Sequence, residues 1–147
     1  MNDSSDNFIS YNKFMMSYNK VVIEKLGGPE VLKLVEEKKI PGPKQGHLRI
    51  KVIHSSANFT NVMIRKGKYQ DEKEKQPLSP GYDMVGIVDE IGPGANKFEV
   101  GQRVADMTVI GAYSENICLP VENLILVIEN IIDFSEFLKF DKYVNLK

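Results

Sequence analysis

His47-Leu48-Arg49-Ile50-Lys51-Val52 alternates polar and apolar side chains one by one. Successive side chains of an extended chain point to opposite faces, so this stretch predicts a β-strand. Leu48, Ile50 and Val52 are expected on the core side, with His47, Arg49 and Lys51 in water. The turn signal Pro41-Gly42-Pro43-Lys44-Gln45-Gly46 precedes the strand and Ser55-Ser56-Ala57-Asn58 follows it. Working outward, β-like runs recur at 21–23, 31–35, 84–91, 101–108, 113–119 and 125–128, between Gly27-Gly28-Pro29, Gly92-Pro93-Gly94 and Gly111. At 59–66, Phe59, Val62 and Met63 fall at helical spacing, and Thr60 stands near the start as a cap. Short strands with so little helix between them predict an antiparallel barrel or sandwich, mainly β with short helices, rather than βαβ units.

The chain has 147 residues, 42% hydrophobic and 27% charged, and 19 Lys plus Arg against 20 Asp plus Glu leave a net charge of −1. A chain of this length sustains one domain that buries roughly 68–70% of its unfolded surface without a disulfide or structural metal. The balanced charge speaks against a nucleic-acid partner or an anionic membrane surface, both of which call for a clustered basic excess. Leu124 to Ile128 is the longest aliphatic run, five residues, where a membrane span needs about 20. The N-terminus carries Asp3 and Asp6 with no basic cluster and no apolar stretch, so no secretory signal is expected. A lone cysteine, Cys118, excludes an intrachain disulfide and a multi-cysteine zinc site, and the expected compartment is the cytoplasm. Residues 1–19, rich in Asn, Ser and Tyr, are expected to be a disordered arm, and 20–132 the folded domain. Over 133–147, Asp133 and Glu136 have capping-box spacing, which predicts a short C-terminal helix with Phe134, Phe137 and Leu138 on one face. Residues 71–76 are expected to be a charged surface loop.

Few residues offer chemistry on their own. Gly92-Pro93-Gly94-Ala95-Asn96-Lys97 begins like a dinucleotide fingerprint, but Lys97 stands at the third glycine position and no long helix follows. Such a loop lacks both the close backbone approach and the helix N-terminus that a pyrophosphate requires, so it reads as a hairpin turn. His47 is expected in solvent, and His54, at the strand end, is expected to pack or hydrogen-bond rather than catalyse. No glycine-flanked serine is present to form a hydrolase elbow. Asp83 is expected to accept backbone N–H bonds near the Pro80-Gly81 turn, and Arg65 to lie along the helix surface with its head in water.

Four linked motifs then stand together. They are Asn58-x-x-Asn61-x-x-x-Arg65-x-Gly67-x-Tyr69, Pro80-Gly81-Tyr82-Asp83-x-x-Gly86-x-Val88-x-x-x-Gly92, Phe98-x-x-Gly101-Gln102-Arg103-Val104 and Gly111-Ala112-Tyr113-Ser114-Glu115. Their order and spacing resemble the catalytic, GroES-like domain of the medium-chain dehydrogenase/reductase superfamily, in its zinc-free quinone oxidoreductase branch, similar to zeta-crystallin. The resemblance covers about residues 21–136. It implies a GroES-like antiparallel β-barrel, NADPH as cofactor and a small quinone or carbonyl as substrate.

The same resemblance assigns residues. Zinc-dependent relatives place a cysteine at the position matching Asn58 and a histidine at that matching Tyr82, so no metal is implied here, because an amide and a phenol do not replace a thiolate and an imidazole. In the quinone-reducing relatives an asparagine and two tyrosines line the cleft. Asn58 matches the asparagine, Tyr69 the second tyrosine, and Met63 the first, where it can only pack. Relatives continue past the segment matching 133–136 into a Rossmann domain, which is absent from these 147 residues, so the cofactor-binding residues are unknown. The chain is therefore expected to be a truncated or split catalytic domain, inactive alone, that self-associates or takes a partner supplying the missing domain. The alternative is a non-enzymatic β-barrel interaction module that keeps the family fold.

Overall fold

The computed structural model describes residues 17–69, 77–107 and 110–127. The expected loop at 71–76 and the expected helix over 133–147, with Phe134, Phe137 and Leu138, lie outside the described residues. Seven strands and one α-helix form among those described. Strand β1 (Tyr18–Ile23) pairs antiparallel with β2 (Leu32–Glu37). Strands β3 (His47–His54), β4 (Met84–Ile91), β5 (Arg103–Asp106), β6 (Asn116–Pro120) and β7 (Ile125–Leu126) build an antiparallel sheet in the order β6-β3-β4-β5-β7. The two sheets are joined where Val21 N–H donates to the Tyr113 carbonyl at 2.7 Å and Ile23 N–H to the Leu78 carbonyl at 2.8 Å. The helix α1 (Phe59–Arg65) follows β3. The fold is mainly β with antiparallel sheets, as the alternation predicts.

β3 is the inner strand on which the larger sheet is hung, with β4 on one side and β6 on the other. Leu48 and Ile50 are fully buried and pack with Val88, Val104 and Leu124. Arg49 corrects the expected parity. It is only 4% exposed, set between Glu90 of β4 and Cys118 of β6. Its Nε donates to Asp89 Oδ2 at 2.6 Å, its Nη2 lies 2.7 Å from Glu90 Oε2, and its Nη1 reaches the Pro41 carbonyl at 3.2 Å. A buried guanidinium is tolerated because acceptors surround it, and those acceptors are distant in sequence. The neighbouring Cys118 thiol has its pKa pushed up by burial, against the opposing pull of Arg49, which keeps it in the weakly nucleophilic protonated form.

Other boundaries shift for local reasons. Tyr18 and Asn19, placed in the arm by composition, belong to β1, where Tyr18 pairs with Glu37 and the Asn19 N–H donates to Glu115 Oε2 at 2.7 Å. β6 starts at Asn116 rather than 113, because Gly111 and Ala112 N–H groups bond the Gly81 carbonyl and the Tyr113 N–H bonds that of Pro80. Residues 92–97 are the turn expected between β4 and β5. The Gly92 N–H donates to the His47 carbonyl at 2.9 Å and Gly46 N–H to the Pro93 carbonyl at 2.8 Å. This turn is therefore consumed in packing against the one that opens β3.

A Cβ built on Gly92 would sit 2.2 Å from the Lys44 carbonyl oxygen and 2.6 Å from that of His47. Both obstacles are backbone, so the two turns must separate. Gly92→Ala is expected to destabilise the protein by about 1–3 kcal/mol, as overpacking does. Urea unfolding measures it, and an unchanged midpoint contradicts the close approach.

Candidate functional site

The polar corner lies where β3 gives way to α1. Asn58, not Thr60, caps the helix. Its backbone is extended (φ −111°, ψ 175°) and its Oδ1 accepts the Asn61 N–H at 3.1 Å. An asparagine in that conformation satisfies one of the donors that a helix start leaves without an intrahelical acceptor. The buried face of α1 carries Asn61, Ile64 and Arg65, a spacing of three and four residues that puts them on one side. Phe59 and Met63 share the opposite side, Phe59 with 76% of its surface exposed and Met63 half-buried.

Asp83, one residue before β4, holds this corner from across the sheet. Its carboxylate accepts the Ser56 N–H at 2.7 Å, the Ser56 hydroxyl at 2.5 Å and Asn58 Nδ2 at 3.1 Å. The Ser55 hydroxyl donates to the Asp83 carbonyl at 2.7 Å. Asp83 is thus an acceptor of backbone N–H, as expected, but its partner is Ser56 and not the Pro80-Gly81 turn. That turn is held instead by Asn61, whose Oδ1 accepts the Gly81 N–H at 3.1 Å. Gly81 adopts φ +105°, and a Cβ there would lie 2.5 Å from the Tyr113 nitrogen, so the turn admits glycine alone.

The C-terminal side of Ser56 is equally occupied. Its carbonyl accepts Asn61 Nδ2 at 3.0 Å and the Tyr113 hydroxyl at 3.0 Å, and Asn61 Nδ2 also reaches Tyr113 Oη at 3.2 Å. Burial, and then the negative charge of Asp83, push the Tyr113 phenol above its ordinary value of 10.0. It stays protonated and remains a donor.

Tyr69 meets Tyr82 edge-on, with ring centroids 6.0 Å apart at 65° and hydroxyls 3.4 Å apart. Both rings pack on the small core of Ile23, Val31, Ile64 and Leu78. Tyr82 and Asp83 are consecutive, so one dipeptide carries the partners of both Tyr69 and Asn58. Met63 lies on the other side of α1 from Ile64, half-buried, and its carbonyl accepts the Lys68 N–H at 2.9 Å. Arg65 departs from expectation. It is 8% exposed and its Nη1 donates to the Gly27 carbonyl at 2.8 Å, so it ties the helix to the loop after β1. His54 is exposed at the end of β3, and half-buried His47 holds its Nδ1 3.0 Å from the Gln45 carbonyl.

Sequence reasoning missed the roles of Ser56, Asn61 and Tyr113. A signal for Asn61 was present: it lies three residues from Ile64 and four from Arg65, in the buried phase of a helix whose other face starts at Phe59. Among the described residues no three His, Cys, Asp or Glu side chains cluster as a metal centre would. Nor is any described helix long and apolar enough to cross a membrane.

Known proteins share this fold. The alcohol dehydrogenase GroES-like domain family matches residues 44–129, more than half of the sequence, and the chain belongs to that family. Its relatives set it within the zinc-free quinone oxidoreductase branch of the medium-chain dehydrogenase/reductase superfamily. It is 36% identical over 120 residues to the mouse synaptic vesicle membrane protein VAT-1 homolog-like, across 82% of this chain and 28% of that protein. It is 36% identical over 111 residues to rat quinone oxidoreductase, across 75% of this chain and 33% of the other. Among solved structures, human VAT-1 homolog-like protein superposes with a TM-score of 0.73 at 32% identity over 80% of this chain and 37% of that one. Escherichia coli quinone oxidoreductase complexed with NADPH gives 0.71 at 27% identity over 78% and 34%. The chain thus spans about a third of the length of the relatives it matches.

Since the folded state holds the Tyr113 proton more tightly than the unfolded state does, its stabilising contribution is full below pH 10.0 and is lost as pH rises beyond it. Tyr113→Phe is expected to lower stability at neutral pH by about 0.5–1.5 kcal/mol, the net worth of one hydrogen bond, because the Ser56 carbonyl keeps Asn61 Nδ2 as a donor. It should also flatten the decline above pH 10.0. Urea unfolding across neutral and alkaline pH reads both, and parallel curves for the two proteins contradict the assignment.

Proposed function

We propose that these residues form the substrate-binding domain of an NADPH-dependent oxidoreductase that reduces a quinone or an activated carbonyl, and that they do not catalyse the reduction alone. The observation that carries this reading is the Asn58 amide, pinned at the corner by Asp83 and by its own capping bond. The kinship with quinone oxidoreductases supports it. A donor of fixed direction is most useful where negative charge develops, as on a carbonyl oxygen while hydride reaches its carbon. Asn58 and Tyr69 are the residues assigned to supply such donors, and Met63, half-buried on α1, to supply apolar packing. Bound NADPH would deliver the hydride, and the protein's part is to orient the carbonyl and stabilise its oxygen.

The described residues do not fit a pyrophosphate. In the turn at 92–97 the Gly92 N–H is bound to the His47 carbonyl and the Ala95 N–H to that of Gly92, and the start of α1 is occupied by the Asn58 side chain. Hydride transfer therefore requires a nucleotide-binding partner or domain beyond these residues. The same observation favours the second reading, a non-enzymatic interaction module built on the family fold.

Titration of the 147-residue protein with NADPH is expected to show no micromolar affinity, and no quinone reduction should follow. Anthraquinone-2-sulfonate, whose ring positions beside the carbonyls resist thiol addition, should nonetheless shift the Asn58 and Tyr69 resonances. Micromolar NADPH binding with measurable reduction overturns the claim of inactivity. No response at Asn58 or Tyr69 favours the interaction module.

A further inference from the structure

Asn58 has two amide hydrogens, and the acceptors around its Nδ2 lie on one side. Nδ2 is 3.1 Å from Asp83 Oδ2 and 3.3 Å from Ser56 Oγ, and those two oxygens are themselves only 2.5 Å apart. The two N–H bonds of a planar amide diverge by about 120°. Acceptors so close together cannot each take a different hydrogen, so one N–H serves both as a three-centre bond. The second N–H points elsewhere. The amide cannot be turned over without loss, because Oδ1 faces the Asn61 N–H at 3.1 Å, a donor, while Nδ2 faces a carboxylate, an acceptor. Reversal would set donor against donor and oxygen against carboxylate.

We propose that Asp83 is the positioning residue that fixes this amide, so that its second N–H is presented to the ligand and the site selects strong hydrogen-bond acceptors, carbonyl oxygens, over weaker ones such as phenolic hydroxyls. The selectivity rests on the reading that the Asn58 amide faces the substrate. The positioning does not, because it follows from the corner itself. Asp83 is well suited to the task. Its Oδ1 is anchored by the Ser56 N–H at 2.7 Å, and the carbonyl of the same residue is bound by Asn61 and Tyr113. The carboxylate is thus held by backbone before it holds the side chain.

Side-chain amide NMR of the 147-residue protein tests this. Any primary amide shows two hydrogen shifts, because its C–N bond rotates slowly; those of Asn58 are expected to be split more widely than those of an exposed asparagine, with the one facing Asp83 moved downfield. Rotation about the bond between the amide carbon and Nδ2 should be about tenfold faster or more in Asp83→Asn, the change that about 1.4 kcal/mol of lost hydrogen bonding produces. Ser56→Ala keeps the carboxylate, and its rotation should stay slow. Unaltered Asn61 side-chain signals in both variants show that the fold persists. Should Asp83→Asn fail to fold, the width of the splitting in the unmodified protein decides alone. Anthraquinone-2-sulfonate is expected to shift the hydrogen turned away from Asp83, and to do so at lower concentration than 6-hydroxynaphthalene-2-sulfonate, a phenol of like charge whose oxygen is a weaker acceptor. A splitting no wider than that of an exposed asparagine, or equal rotation in Asp83→Asn, overturns the positioning role. Expected amide behaviour with no shift from either probe leaves the positioning standing and overturns both the selectivity and the proposed function.

Discussion

The site depends on how the backbone of one residue, Ser56, is held. Its N–H, in the peptide unit before it, is bound by Asp83, and its carbonyl, in the unit after it, by Asn61 and Tyr113. Those three residues come from the approach to β4, from α1 and from the approach to β6. Ser56 is half-buried, and partners on both sides fix the two peptide units that meet there. Closure of this corner determines the rest of the site. Asn58 is delivered to the start of α1 in the extended conformation of a cap, and Tyr82, the neighbour of Asp83, is delivered to Tyr69.

A second polar anchor works differently. Arg49 is buried at its guanidinium, while Asp89 and Glu90 remain more than a third exposed. Solvent screens that ion pair, and its net worth is correspondingly small. Its structural effect is to let a charged residue occupy the middle of an inner strand, with the Pro41 carbonyl closing the remaining side. Arg49 thus helps seat the loop before β3, and the Ser56 clamp sets the loop after it. The strand that defines the fold is anchored by polar groups at both ends.

Much of this is legible from residue order. Period-two alternation identifies β3, the run at Met84–Ile91 matches β4, and the glycine-proline turn at 92–97 separates correctly from a nucleotide loop. Residue order misleads where a polar side chain is satisfied from afar. Pattern alone puts Arg49 and Arg65 in water, because nothing near them in sequence shows that Asp89 or the Gly27 carbonyl waits 40 or 38 residues away. It favours Thr60 as the cap because helix periodicity locates a start only to within a turn, and the deciding fact is the Asn58 backbone angle. For Asp83 the chemistry is right and the partner wrong, since register across β3 and β4 is not written in either strand alone.

The central claim is that the Ser56 backbone is a fixed point of the fold, and amide hydrogen exchange measures that most directly. In the unmodified protein under native conditions, the Ser56 N–H should exchange as slowly as those of Ile50 and Val88 in the core strands, through global unfolding alone. Exchange at the rate of an exposed loop amide, while those strand amides remain protected, would show that the corner opens independently and would contradict the account.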